Sequence, residues 1–258
     1  MRDFYRALVD ILDAGTPAAT ATIVKVTGST PRTVGARMIV RREGLPLFTL
    51  GGGAFEAGVI EAALEAIAGG TAVLKEFSLA TKGPAGDGQE CGGTATVFID
   101  PATAPEKLWI FGGGHVGRAL AAASQGLGMD VTVFDDRADY ATLEHLPGAQ
   151  RAVKTDEEYR DVPAPDGRTY CVVATRAHKT DRAALRSALR GNPSWVGMIG
   201  SARKRLAVHK ELLEEDGVPA GRLETVETPV GLSIGAETPE EIAIAILARL
   251  IQVRRQPA

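Results

Sequence analysis

The segment that most constrains this chain runs from Leu108 to Leu120 and reads Leu-Trp-Ile-Phe-Gly-Gly-Gly-His-Val-Gly-Arg-Ala-Leu. A short apolar run with the composition of a strand meets glycines at 112, 114 and 117, and a helical pattern rich in small residues follows. Each glycine has a physical task at this spacing. Gly112 permits a tight turn, Gly114 lets the backbone approach a pyrophosphate, and Gly117 lets the helix close on the strand. The helix start offers unpaired N–H groups and the positive end of its dipole to an anion. A second strand, Met129 to Phe134, leads into Asp135-Asp136, where an acid is expected to meet a ribose hydroxyl. Asp135 should then prefer a free ribose diol to a 2′-phosphate by charge repulsion, with Arg137 working against that preference. A glycine-rich turn that binds nothing fits the glycines alone. Strand, glycines, helix, second strand and terminal acid in one unit favour a dinucleotide site.

Beyond Asp135 the βα alternation continues. Strands are expected at Arg151 to Lys154, Thr169 to Thr175 and Trp195 to Ile199, with helices at Lys179 to Leu189 and Ser201 to Glu214. This pattern predicts a parallel sheet with helices on both faces, whose ligands lie outside the carboxyl ends of the strands. Gly112 to His115, Asp135, Thr175 to His178 and Gly200-Ser201 all fall there. His178 is the one acid–base candidate, set against the ordinary reading of a loop histidine as a surface residue. Ser201 is a good N-cap, yet Arg203, Lys204 and Arg205 crowd the first turn. Cations there cost a few tenths of a kcal/mol each against the helix dipole, which an anionic partner would offset. A solvated basic face is the alternative. Thr238-Pro239-Glu240-Glu241 announces a last helix with a capping box, and Ile242 to Leu250 is apolar almost all round. That helix is expected to be buried on most sides, between the two halves or in a homodimer. The segment from Thr228 to Gly235 should pass near the same crevice.

The N-terminal half reads differently. A helix is expected over Arg2 to Asp13, and strands at Ala19 to Val26, Arg37 to Arg41, Pro46 to Leu50, Val73 to Leu79 and Thr94 to Ile99. Gly51-Gly52-Gly53 precedes a helix from Ala54 to Ala68, a second glycine-rich helix start that either holds an anion or simply bends the chain. Adjacent strands outnumber helices, which predicts an N-terminal α+β domain over residues 1–102. Pro101-Ala102-Thr103-Ala104-Pro105 reads as a linker to a doubly wound domain over residues 106–258.

Composition narrows the functional classes. The chain has 258 residues, 45% of them hydrophobic, and a net charge of −3. No basic block exists to release counterions from nucleic acid, so no nucleic-acid partner is expected. No run approaches the ~20 apolar residues of a membrane span, and the N-terminus lacks a signal-peptide core. Cys91 and Cys171 are the only cysteines, too few for a disulfide framework, so a reducing cytoplasm is the expected compartment. Cys171 lies in an apolar strand and reads as packing. Cys91 lies in a glycine-rich loop, where Gly92 and Gly93 would let backbone N–H groups surround its sulfur, while Glu90 disfavours the thiolate. An incidental surface thiol is the competing reading.

Taken together, these stretches resemble the XdhC/CoxI family, accessory proteins that mature molybdenum hydroxylases such as xanthine dehydrogenase. The resemblance rests on Gly28-Ser29-Thr30-Pro31-Arg32, Gly35 to Met38, Gly51-Gly52-Gly53-Ala54-Phe55-Glu56 and Cys91-Gly92-Gly93. It continues through Ile110 to Arg118, Phe134 to Arg137, Thr175 to His178, Val196 to Ser201 with Lys204-Arg205, and Pro229 to Ile244. It implies an N-terminal cofactor-handling domain followed by a Rossmann-like domain. It further implies that the chain binds molybdenum cofactor, as molybdopterin or its dinucleotide form. The cofactor's sulfuration by a cysteine-desulfurase-type sulfurtransferase and its delivery to an apo molybdenum hydroxylase would follow. The cofactor-binding residues so implied are Arg32, Gly52, Gly53, Glu56, Cys91, Gly92 and Gly93. With them go Gly112, Gly114, His115, Gly117, Asp135, Ser201 and Arg203, and Cys91 would lie near the metal. Glu90 stands where the family pattern has cysteine or an apolar residue, so a two-thiol mechanism is not available. Two rival readings remain: an NAD(P)-dependent oxidoreductase, against which the sequence shows no Tyr-x-x-x-Lys pair and no clear acid–base group beyond His178, and a nucleotide-sensing module without chemistry.

Overall fold

The computed structural model describes residues 1–79, 93–102 and 104–255, and it divides into two compact units, Met1–Ala104 and Pro105–Ala258. In the first unit, α1 (Arg2–Asp13) leads to β1 (Ala18–Thr27), β2 (Arg37–Arg41) and β3 (Leu47–Phe48). The long helix α2 (Gly53–Gly69) follows, then β4 (Val73–Ser78) and β5 (Thr94–Ala102). The strands form one antiparallel sheet in the order β3-β2-β1-β5-β4.

The pleat explains which residues are inside. Ala19, Ala21 and Ile23 of β1 alternate onto one face with Met38, Val40, Val97 and Ile99, and α2 covers that face. Helix α2 turns Phe55, Val59, Ala62, Ala63, Ala66 and Ile67 inward, a stripe at helical spacing. Helix α1 sets Phe4 and Ile11 against Ala18 and Ile39. The expected strand Pro46 to Leu50 shrinks to two residues, because the Leu50 amide donates to the Glu56 carboxylate instead of to a ladder. Strand β5 runs into the expected linker as far as Ala102. Pro101 is tolerated there because β4 pairing stops at Ile99, so only β1 faces it.

The second unit is a parallel sheet covered on both faces. Strands β6 (Lys107–Phe111), β7 (Asp130–Asp135), β8 (Arg151–Lys154), β9 (Thr169–Val173), β10 (Trp195–Met198) and β11 (Val226–Glu227) lie in the order β11-β10-β9-β6-β7-β8. The order reverses between β6 and β9, the switch point at which such sheets open a crevice. The strands are apolar on both sides, as a doubly covered sheet requires. Leu108, Ile110 and Val133 face one core with Leu120 of α3 (His115–Ala123) and Ile246, Leu247 and Leu250 of α7 (Pro239–Arg255). Phe111, Val173 and Met198 face the other, with Leu185 of α4 (His178–Ala188) and Val208 and Leu212 of α5 (Ala202–Glu214). A short helix α6 (Ala220–Glu224) precedes β11.

Helix α7 starts as its sequence demands. Thr238 Oγ1 accepts from the Glu241 amide, and Glu241 Oε2 accepts from the Thr238 and Glu237 amides. Over Ile242 to Leu250 it is buried on most sides, as expected: Ala243, Ala245, Ile246, Leu247 and Leu250 are buried, the helix packs on α3, and within that stretch Ile244 alone is exposed, at 57%. No helix among the described residues is long and apolar enough to cross a membrane.

Candidate functional site

The carboxyl ends of β6, β7, β9 and β10 meet around a cavity of about 270 Å³. Gly114, His115, Arg137, Tyr140, Thr175 and Arg176 are among its walls. Of the glycines, Gly112 has φ +107°, and a Cβ built there would stand 2.4 Å from the Ala174 carbonyl oxygen. At Gly117 a Cβ would stand 1.8 Å from the Gly112 oxygen, so α3 can close on β6 only with glycine. Gly114 differs. Nothing lies within 4 Å of the position its Cβ would take, and it caps α3 without a side-chain hydrogen bond. The N-terminus of α3 thus faces open space, beside two guanidinium groups, where a phosphate can approach. His115 also borders a second cavity of about 600 Å³, lined further by Arg118, Pro147, Glu240 and Ile244.

Asp135 does not present itself to a ribose as its position at the strand end predicts. It is 1% exposed. Its Oδ2 accepts from the Gly113 amide at 2.7 Å and Arg137 Nη2 at 2.9 Å; its Oδ1 accepts from the Arg137 amide and Nε, both at 2.9 Å. A carboxylate offers about four acceptor positions, and all are taken. Burial alone would raise the Asp135 pKa. The bonds from Arg137 and Gly113 and the Arg137 charge outweigh it, holding the carboxyl below its ordinary range. Arg137 lies over the Tyr140 ring, 3.5 Å from its centroid. Asp136 pairs with Arg176, which also approaches Glu157 at 3.5 Å.

The remaining candidates divide. His178 opens α4, but its Nε2 hydrogen-bonds Glu211 Oε1 on α5 at 2.9 Å, a contact between helices rather than a group aimed at the cavity. Ser201 caps α5 by accepting from the Lys204 amide at 3.2 Å. The basic turn is not one face. Lys204 pairs with the buried Asp181, whereas Arg203 is exposed and forms no ion pair among the described residues. Burial raises the Asp181 pKa, against the hydrogen bonds and charge of Lys204 and Thr175.

In the first unit, three glycine-bearing segments come together. A Cβ at Gly51 would strike Pro31 at 2.5 Å, and one at Gly93 would strike the Thr27 and Ser29 carbonyl oxygens at 2.4 Å. Arg32 is exposed in this turn, and Gly52 and Gly53 have open space where a Cβ would be. Glu56 does not reach outward. Its Oε2 accepts from Thr49 Oγ1 at 2.6 Å, the Leu50 amide at 2.9 Å and the Gly52 amide at 3.0 Å. The anion expected at this helix start is therefore the chain's own carboxylate. Burial opposes its charge, yet these donors hold its pKa below the ordinary value. Cys91 and Gly92 lie outside the described residues. No group of three or more His, Cys, Asp or Glu side chains suited to a metal occurs among the described residues.

Two participants carry no sequence motif. Tyr140 lines the cavity from a 3-10 turn (Ala138–Tyr140), and a Cβ at Gly113 would stand 2.2 Å from its carbonyl oxygen. His145 Nε2 donates to the Gly113 carbonyl at 2.8 Å. Their one signal is proximity in sequence to Asp135, since the segment leaving β7 must turn back across the glycine loop.

Comparisons with known proteins agree with this architecture. The family model described as the XdhC Rossmann domain matches residues 108–250, and that described as the XdhC and CoxI family matches residues 11–78. The chain is 36% identical over 238 residues to "Uncharacterized protein YqeB" of Escherichia coli (strain K12), a match covering 92% of this chain and 44% of that protein. It is 31% identical over 170 residues to a probable xanthine dehydrogenase subunit of Bacillus subtilis (strain 168), covering 64% of this chain and 48% of that one. The chain thus spans about half the length of these relatives. A crystal structure of a xanthine dehydrogenase from Bacillus halodurans shares the fold, with TM-score 0.52 and 21% identity over 96% of this chain and 95% of that one. With a family model matched over more than half its length, on the unit that holds the crevice, this chain belongs to the XdhC and CoxI family.

Proposed function

We propose that this chain is an accessory protein of a xanthine-dehydrogenase-type molybdenum hydroxylase. Its cargo would be molybdenum cofactor, bound here, sulfurated with the help of a sulfurtransferase and passed to the apo-enzyme. The observation that carries this reading is the α3 N-terminus, open at Gly114 and flanked by Arg137 and Arg176, at the switch point of the parallel sheet. Such a site suits a phosphate-bearing ligand, which both forms of the cofactor are. The roles of this chain's residues follow from their chemistry. Gly112 and Gly117 shape the loop, Gly114 leaves room for the phosphate, and the two guanidinium groups offset its charge. In the first unit, Arg32, Gly52 and Gly53 would meet the cargo. Cys91 would supply the soft thiolate that suits molybdenum.

A second reading is favoured by the same strand order, which is that of dinucleotide-binding oxidoreductases. Such an enzyme needs an acid–base group at the crevice, and His178 is engaged with Glu211 on α5. The test is purification from molybdate-supplemented cells, followed by absorption spectra, pterin analysis and activation of an apo-hydroxylase. Pterin on the protein and an activated client are expected. Protein that carries no pterin and activates nothing, yet transfers hydride from a nicotinamide nucleotide, would overturn the first reading in favour of the second.

A further inference from the structure

In dinucleotide folds the acid at the end of the second strand accepts the ribose 2′-hydroxyl, whereas an arginine nearby accommodates a 2′-phosphate. Here the acid is present and already engaged. Asp135 takes four donors from Gly113 and Arg137 and is 1% exposed, so no acceptor position remains for a ribose. The next acid, Asp136, has an 8% exposed side chain and is paired with Arg176. Neither carboxylate is among the residues lining the cavity, while Arg137 and Arg176 both are.

Arg137 is held in place for contact with an anion. Its Nε and Nη2 are tied to Asp135, its guanidinium carbon stands 3.5 Å over the Tyr140 ring centroid, and its side chain is 28% exposed. The remaining N–H groups of its fork have no partner among the described residues. A guanidinium fixed on two sides loses little entropy on binding, and phosphate is its natural bidentate partner.

We infer that the crevice selects a nucleotide whose ribose carries a 2′-phosphate, with Arg137 as its recognition group and Asp135 as the residue that positions Arg137. This rests on the reading, proposed above, that the crevice at the α3 N-terminus takes a phosphate-bearing ligand. Because the cargo's phosphate would use the same helix start and the same two guanidinium groups, the nucleotide and the cargo would be alternative occupants of the crevice. Such selection also reverses the preference expected from Asp135 alone.

The test is calorimetric titration of the full chain with adenosine 2′,5′-bisphosphate and with adenosine 5′-monophosphate, which differ only in the 2′-phosphate, at fixed salt. The 2′-phosphorylated probe should bind about tenfold tighter or more, the size of one charge-assisted contact. Arg137→Ala frees Asp135, so the order of the two probes should invert. Arg137→Lys keeps the charge and loses the fork, and should retain only part of the preference. If the alanine variant does not fold, the unmodified chain and the lysine variant decide the matter. Equal or weaker binding of the 2′-phosphorylated probe overturns the inference and leaves the nucleotide site standing. Binding of neither probe overturns both.

Discussion

Asp135 and Arg137, two residues apart, are joined by a two-pronged ion pair in which Nε meets Oδ1 and Nη2 meets Oδ2, each at 2.9 Å. The same carboxylate holds the Gly113 amide. Asp135→Asn should keep the fold but lose about 1–3 kcal/mol at neutral pH, because a buried charge-assisted set loses its acceptor charge. The sign of the pH dependence follows from the depressed carboxyl. Its contribution is complete above the ordinary value of 3.8 and is lost as pH falls through the lower folded-state pKa. Urea melts of the two proteins should therefore converge in acid; a gap unchanged from neutral to acid pH would contradict the pair's contribution.

The glycines of the loop separate into two kinds. Gly117→Ala places a methyl group against the Gly112 carbonyl oxygen and should cost at least about 2 kcal/mol, since backbone rather than a flexible side chain must yield. Gly114→Val meets open space and should stay within about 1 kcal/mol of the parent, the size of a changed N-cap. It should nonetheless lose affinity for phosphate-bearing ligands. Thermal melts with titration of a nucleotide and of the pterin cofactor check both. An unstable Gly114→Val protein, or a stable one with parental affinity, contradicts the assignment.

Within the basic turn of α5, Lys204 and Arg203 should behave oppositely. Lys204→Ala leaves the buried Asp181 without its cation and should destabilise by about 3 kcal/mol. Arg203→Ala should move stability by no more than about 0.5 kcal/mol, as exposed positions do. If Arg203 serves an anion, its loss weakens association with ligand or client most at low salt, where screening is least. Equilibrium melts and binding measured across a salt series distinguish the two residues.

The two cysteines allow a direct test of the proposed cargo site. Cys171 is 0% exposed in β9, and burial pushes its thiol pKa far up, so it stays protonated and unreactive in the native protein. Peptide mapping after brief alkylation should find Cys171 unmodified until denaturant is added. Cys91→Ser should remain folded and fail to hold or deliver active cofactor. Cys171→Ser should lose about 1–3 kcal/mol for a buried hydroxyl and keep delivery. Client activation by Cys91→Ser equal to the parent's would remove Cys91 from the mechanism.

What is legible in the sequence is local. The capping box at Thr238 and Glu241 is an i to i+3 code that the structure follows bond for bond. Gly112 and Gly117 announce themselves because only glycine tolerates such turns and contacts. The parallel sheet follows from alternating apolar runs and helical patterns. Competition for hydrogen bonds is not legible. Asp135 has to choose between a ligand and Arg137, and Glu56 between a ligand and its own glycine turn. Both choices depend on side-chain geometry at the end of an element, which spacing does not encode. The pairing of Lys204 with Asp181 is hidden for a different reason: the partners lie on separate helices, so no short window of sequence contains both.

The Gly113 peptide is gripped at both ends, its N–H by Asp135 and its carbonyl by His145. A loop tethered in this way has little freedom left to surrender when a ligand arrives. Recognition at the crevice should then carry a small ordering cost, and affinity would be governed by the contacts themselves. The glycine loop is thus held in one arrangement before any ligand arrives. The same grip ties it to the Arg137 arm, since one carboxylate anchors both, so a change at either end is felt at the other.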